Sequence, residues 1–164
     1  MKTLLILRHA KSSWKDFSID DHDRPLNKRG KRNAPEMGKL IRRLDLSPDL
    51  ILSSTAKRAR KTAEAVADEV KYPKKLTLTR KLYHAFPDAY VEILQSLENH
   101  HRTVLIVAHN PGIEEMVAQL SGLYERMPTG ALAHFSLPID DWQDMTEKTK
   151  GELQGIYRPK ELTF

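Results

Sequence analysis

Three short apolar runs, at residues 2–7 (KTLLIL), 49–53 (DLILS) and 103–108 (TVLIVA), constrain this chain more than any other feature. Each is bounded by polar or charged residues and is too short for an ordinary helix, so each reads as a buried strand. Longer stretches with apolar residues at helical spacing lie between and beyond them. Ala34, Met37, Leu40, Ile41 and Leu44 mark the first helix. Pro35 sits inside that pattern: either a helix capped near Asn27 bends there, or a new one starts at Asn33 with Glu36 as the partner in a capping box. Ala59, Ala63, Val66 and Val70 mark a second helix over residues 56–70, which Ser54 or Thr55 can cap. Further helices are expected over 89–98 and 113–120, and further strands over 76–78, 131–137 and 152–157. Strands alternating with helices imply an α/β fold with a mostly parallel central sheet covered on both faces.

The chain has 164 residues, a length that suits one domain over 1–164. Hydrophobic residues make up 40% and charged residues 30%, which permits a real core and argues against disorder. No stretch approaches the ~18 consecutive apolar residues of a membrane span. The start of the sequence does not read as a secretory signal, and there is no cysteine for disulfides or thiolate metal sites. A cytoplasmic location is the expectation, with no membrane partner. The formal net charge of +5 favours anionic partners. Nucleic acid is the poorer candidate, because no aromatic interleaving or nucleic-acid motif accompanies the basic residues.

In sheets of this kind, ligands bind outside the C-terminal ends of the strands. Three strand ends here carry unusual polar residues. The first ends in Arg8-His9, the second in Ser53-Ser54 with Arg58 one helical turn on, and the strongest strand in His109-Asn110. If these strands are neighbours, two imidazoles and two guanidiniums meet at one pocket mouth. Such a set suits a phosphoryl group. Arginine offers a planar fork of donors and stays charged, and nearby guanidiniums favour the neutral imidazole needed for attack on phosphorus. No metal or cofactor is then called for.

Arg8-His9-Ala10, the segment from Ser54 through Arg58 to Ala63, and Ala108-His109-Asn110-Pro111-Gly112 resemble the three signatures of the histidine phosphatase superfamily. Within it, the chain is most similar to the SixA-type phosphohistidine phosphatases. Leu7 to Trp14, Asp23 to Gly30, Leu82-Tyr83-His84-Ala85 and Pro128-Thr129-Gly130-Ala131 carry that likeness across nearly the whole chain. The resemblance implies a three-layer α/β/α sandwich of the phosphoglycerate mutase kind. It implies His9 as a nucleophile that becomes phosphorylated, with Arg8, Arg58 and His109 binding phosphoryl oxygens and Arg24 reaching the pocket from the polar stretch over residues 8–27, which reads as a long loop. Two departures stand out. The superfamily's Arg-His-Gly is Arg-His-Ala here, making the turn less permissive at Ala10. Where relatives acting on esters supply a carboxylic acid, this chain has Tyr83-His84-Ala85, with Asp88 the nearest carboxylate.

An alkoxide leaves badly without a proton, whereas imidazole leaves phosphohistidine readily, so a missing acid favours a phosphorylated protein carrying phosphohistidine. A small phosphorylated substrate such as a sugar phosphate is the alternative, and a phospho-ligand binding module without turnover is a third reading. Lys11, Ser12 and His84 are further candidates for substrate contact. Asp20-Asp21-His22-Asp23 reads as a solvated loop rather than a metal site, His100-His101 as an exposed turn, and Trp14 as a pocket lid or packing.

Overall fold

The computed structural model describes residues 1–163. The apolar runs become the centre of one sheet. Its strands are β1 (Lys2–Arg8), β2 (Leu50–Ser54), β3 (Thr77–Thr79), β4 (Thr103–Ala108), β5 (Leu132–Leu137) and β6 (Glu152–Tyr157), in the order β3-β2-β4-β1-β5-β6. β3, β2, β4 and β1 pair in parallel, and the antiparallel pairings β1–β5 and β5–β6 complete the other side.

Four helices cover the sheet: α1 (Lys28–Arg43), α2 (Lys57–Glu69), α3 (Pro87–Gln95) and α4 (Gly112–Ser121). The two-residue period of the strands sorts them between faces. Leu5 and Leu7 of β1, with Ile51, Leu105 and Val107, pack on Met37 and Ile41 of α1 and on Ala59, Ala63 and Val66 of α2. Leu4 and Ile6, with Val104 and Ile106, pack on Tyr90 and Leu94 of α3 and on Ile113, Met116 and Val117 of α4. The result is a three-layer α/β/α sandwich. None of the described helices is long and apolar enough to cross a membrane.

The helix ends correct several sequence expectations. α1 is capped at Asn27, whose side chain accepts from the Gly30 N–H at 2.9 Å, and it runs on through Pro35 without restarting at Asn33. The Asn33 side chain instead donates to Glu36. Neither hydroxyl expected to cap α2 sits at its cap, which is Ala56. Ser54 Oγ lies 2.8 Å from His109 Nε2, and Thr55 Oγ1 lies 2.8 Å from His22 Nε2. Both are diverted to the strand-end cluster. α3 begins at Pro87 rather than 89, since proline fits the first helical turn, where an N–H has no intrahelical partner.

Strand register aligns the polar ends. Arg8 stands opposite Ala108, and Ser53 opposite Val107, so the segments after β1, β2 and β4 leave the same edge of the sheet. The His9 N–H continues the ladder by donating to the Ala108 carbonyl at 3.1 Å.

Candidate active site

Arg8, His9, Lys11, Ser12, Arg24, Arg58, His84 and His109, the eight residues singled out in the sequence, all line one cavity of about 280 Å³ at these strand ends. Trp14, Asp21, Asn110 and Thr129 complete the lining. A larger groove, of about 380 Å³, runs between α1 and α2. Leu26, Ala34 and Ala65 line it with Lys31, Lys57 and Lys61, and it offers no nucleophile or acid–base pair. Chemistry, rather than size, selects the strand-end cavity.

His9 is at the floor, 5% exposed. Its Nδ1 lies 2.8 Å from the Ala10 carbonyl oxygen, which can only accept. Nδ1 therefore carries the proton, and in the neutral ring the lone pair resides on Nε2. Burial, reinforced by Arg58, Arg8 and Arg24 and opposed by the Ala10 hydrogen bond, lowers the His9 pKa to about 3. The residue after it is well tolerated: Ala10 has no positive φ, and its N–H donates to Thr62 Oγ1 at 3.0 Å. The left-handed turn lies across the site at Gly130 (φ 78°), whose N–H meets the carbonyls of Arg8 and His9.

His109 is the second buried imidazole, its ring centroid 5.0 Å from that of His9. Ser54 Oγ, which accepts from the Ala56 N–H, lies 2.8 Å from His109 Nε2 and fixes the ring. Burial, then His9, Arg58 and His84, lower its pKa to about 2 against the opposing charge of Asp21. Both imidazoles are neutral near pH 7.

Three guanidiniums surround this pair. Arg8 donates through Nη1 to the Met127 carbonyl, and Arg24 through Nη1 to Ser12 Oγ at 2.8 Å. Arg58 donates through Nη1 to the Asp21 carbonyl and through Nη2 to Asp21 Oδ2, at 2.6 and 2.9 Å. Each bond fixes one edge of a fork and leaves others open. Arg8 Nε, Arg58 Nε and His109 Nδ1 are buried without a hydrogen-bond partner among the described residues. Buried donors are almost always satisfied, so three orphans on residues lining one cavity mark a place shaped for a polyvalent acceptor.

Residues 20–23 form a loop with no buried residue, as expected, yet Asp21 within it holds the arginines of the site. Beside the two Arg58 contacts, its Oδ1 accepts from Arg24 Nε at 3.1 Å and its Oδ2 from the Tyr83 hydroxyl at 2.6 Å. Partial burial pushes this carboxyl up, but the bonds from Tyr83, Arg58 and Arg24 outweigh it and hold it well below the usual carboxylate range. Nothing in the Asp-rich stretch itself distinguished Asp21 from its neighbours; the partners come from 37 and 62 residues away.

Lys11, Ser12, Trp14 and His84 surround these groups. Lys11 is half-buried, and Ser12 is buried beneath Arg24. Trp14, 59% exposed, stacks on the Arg24 guanidinium at 3.4 Å, which makes it a cover for that side chain. His84 is exposed, adopts φ 58°, and stacks on Tyr83 at 3.9 Å. A non-glycine residue in that region costs energy that surrounding contacts must offset, a feature common at functional sites. His101, expected to be exposed, is 8% exposed because its carbonyl accepts from Trp142 Nε1 and Lys2 Nζ. It lies before β4, at the opposite end of the sheet from the cavity.

Comparison with known proteins agrees with this geometry. Residues 4–85 match the model of the histidine phosphatase superfamily, branch 1. An uncharacterised protein of Mycobacterium tuberculosis is 32% identical over 94% of this chain and 100% of its own length. Two solved structures described as SixA phosphohistidine phosphatases also superpose. The one from Nakamurella multipartitia has a TM-score of 0.84 and 26% identity, covering 96% of both chains. That from Agrobacterium tumefaciens has a TM-score of 0.82 and 27% identity, covering 96% of this chain and 98% of its own. Sequence signatures, topology and full-length relatives thus converge: this chain belongs to the histidine phosphatase superfamily and is a phosphatase.

Proposed function

We propose that the protein removes phosphoryl groups from phosphohistidine in proteins, with His9 as the transient acceptor. The observation that carries the reading is the single tautomer of His9. Its Nδ1–H is committed to Ala10, so an unprotonated Nε2 is available for attack at the cavity floor. As Nε2 bonds to phosphorus, the bond to the leaving group breaks and its electron pair departs with that group. The His9 ring becomes a phosphorylated imidazolium, its remaining N–H held by the Ala10 carbonyl. Arg8, Arg24 and Arg58, with the His109 N–H, serve the oxygens on which charge accumulates. These fixed charges do the electrostatic work, so no metal step is invoked. Water then attacks phosphorus, its proton passing to the phosphate product, and neutral His9 is regenerated as its Nε2 takes back the bonding pair.

The proton inventory supports this choice of leaving group. Asp21 is the one carboxylate among the residues lining the cavity, and it is held ionised by its three donors. It has no proton to give to an alkoxide. A phosphohistidine ring protonated at its remote nitrogen departs as neutral imidazole and needs none. One observation favours a second reading, hydrolysis of small phosphate esters: His84 is exposed at the rim, where an imidazolium could protonate an alkoxide. Steady-state kinetics on a phosphohistidine-bearing protein and on sugar phosphates separate the two. The proposal expects a higher kcat/KM for the protein, and selective turnover of sugar phosphates would overturn it.

A further inference from the structure

Asp21 has a capacity that its bonds to arginine do not exhaust. An ionised carboxylate offers about four acceptor positions. Oδ2 uses two, for Arg58 Nη2 and the Tyr83 hydroxyl, while Oδ1 uses one, for Arg24 Nε. One position on Oδ1 remains. The side chain is 42% exposed, whereas Arg58 and Arg24 beneath it are 6% and 8% exposed and His9 is buried at the floor. In-line displacement puts the leaving group opposite the nucleophile, hence toward the open mouth where this carboxylate stands.

We infer that Asp21 is a specificity residue that accepts a hydrogen bond from the remote ring N–H of a departing imidazole, so favouring phosphoramidates over phosphate esters. This rests on the phosphohistidine reading and adds a residue to it.

The chemistry favours such an acceptor. If the phosphorylated ring lacks its remote proton, breaking the P–N bond must expel an imidazolide anion, a very poor leaving group. If the remote nitrogen is protonated, the bonding pair collapses onto the ring and neutral imidazole departs, that proton staying where it was. A carboxylate beside the N–H favours the cationic ring and so enlarges the reactive fraction. The Ala10 carbonyl does the same for His9 in the second half-reaction. With an oxygen leaving group the same carboxylate does harm, since it faces a developing negative charge. The other charged or titratable groups around it are Asp20, His22, Asp23 and Arg24 on its own loop, Arg58 from α2, and Tyr83, His84 and His109 from the segments after β3 and β4. The two guanidiniums keep Asp21 ionised throughout the range in which an imidazole titrates.

The test compares Asp21→Asn with the parent enzyme on two substrates, a phosphohistidine peptide and p-nitrophenyl phosphate, whose nitrophenolate leaves without a proton. Both substrates share whatever loss comes from loosening Arg24 and Arg58, and beyond it the variant is expected to lose at least about ten-fold more in kcat/KM on the phosphopeptide than on the aryl phosphate, the effect of one charge-assisted hydrogen bond. The alkaline limb of kcat for the phosphopeptide should also move to lower pH. Equal losses on both substrates would mean that Asp21 only positions Arg24 and Arg58, and would overturn the inference. Should the parent enzyme itself turn over only esters, the phosphohistidine reading falls first and this inference with it. Should the variant not fold, the parent loaded with tungstate gives a second reading. It is expected to bind 4-methylimidazole more tightly below that compound's pKa than above, and equal affinity would overturn the assignment.

Discussion

His9, Arg58 and Thr62 show how single side chains divide the labour. His9→Ala should abolish turnover with the fold intact by circular dichroism; activity near that of the parent would contradict its role. Arg58 uses two nitrogens of its fork to hold Asp21 while the residue lines the cavity. A lysine has no such fork, so Arg58→Lys should lose ~10²-fold or more in kcat, as when a transition-state donor is removed. Steady-state rates would show it. Thr62 is purely supportive: its Oγ1 donates to the Arg58 carbonyl at 2.7 Å and accepts from the Ala10 N–H. Thr62→Val strands that buried N–H, and urea denaturation should report a loss of about 1–3 kcal/mol.

Elements deliver these residues through backbone contacts that tolerate no extra atom. Gly112, the first residue of α4, lies against the Ala85 carbonyl, so a Cβ there would overlap it. Gly112→Ala should cost about 1–3 kcal/mol by urea melts and should also shift the segment carrying His84, lowering activity beyond the loss of folded protein. How much could be read beforehand follows the same division. The strands and helices were legible because apolar periodicity reports burial directly, and β1 and β4 needed nothing more. Arg8, His9 and His109 were legible because they are polar where the apolar runs stop, whereas Arg58, inside α2 beside Lys57, Arg60 and Lys61, was singled out by its match to the family signature. Asp21 was not, since Arg58 and Tyr83, which join Arg24 on it, reach it only through the tertiary fold. Ser54 and Thr55 were misread as helix caps for the related reason that a hydroxyl at a helix start has several uses, and His109 and His22 claim these two.

At the scale of the whole molecule, buried neutral imidazoles couple the site to pH. Folded His9 and His109 have pKa values of about 3 and about 2, against an ordinary 6.5. Between about pH 6.5 and those values the unfolded chain binds more protons than the folded one, so stability falls as pH falls through this window. Asp21, depressed as a carboxylate, adds a loss once pH drops below the ordinary Asp value of about 3.9. Urea midpoints should therefore decline from pH 7 toward pH 4. His109→Gln should flatten that slope, and an unchanged slope would show that the imidazole is not buried in neutral form.

The central claim is that a covalent phosphoryl group passes through one imidazole nitrogen. Rapid quenching of the enzyme with radiolabelled substrate tests it directly, followed by peptide mapping of the label. The account predicts label on the peptide containing His9, stable in alkali, released by acid and absent from His9→Ala. An active enzyme that traps no label, or label that survives acid or persists in the variant, would contradict it.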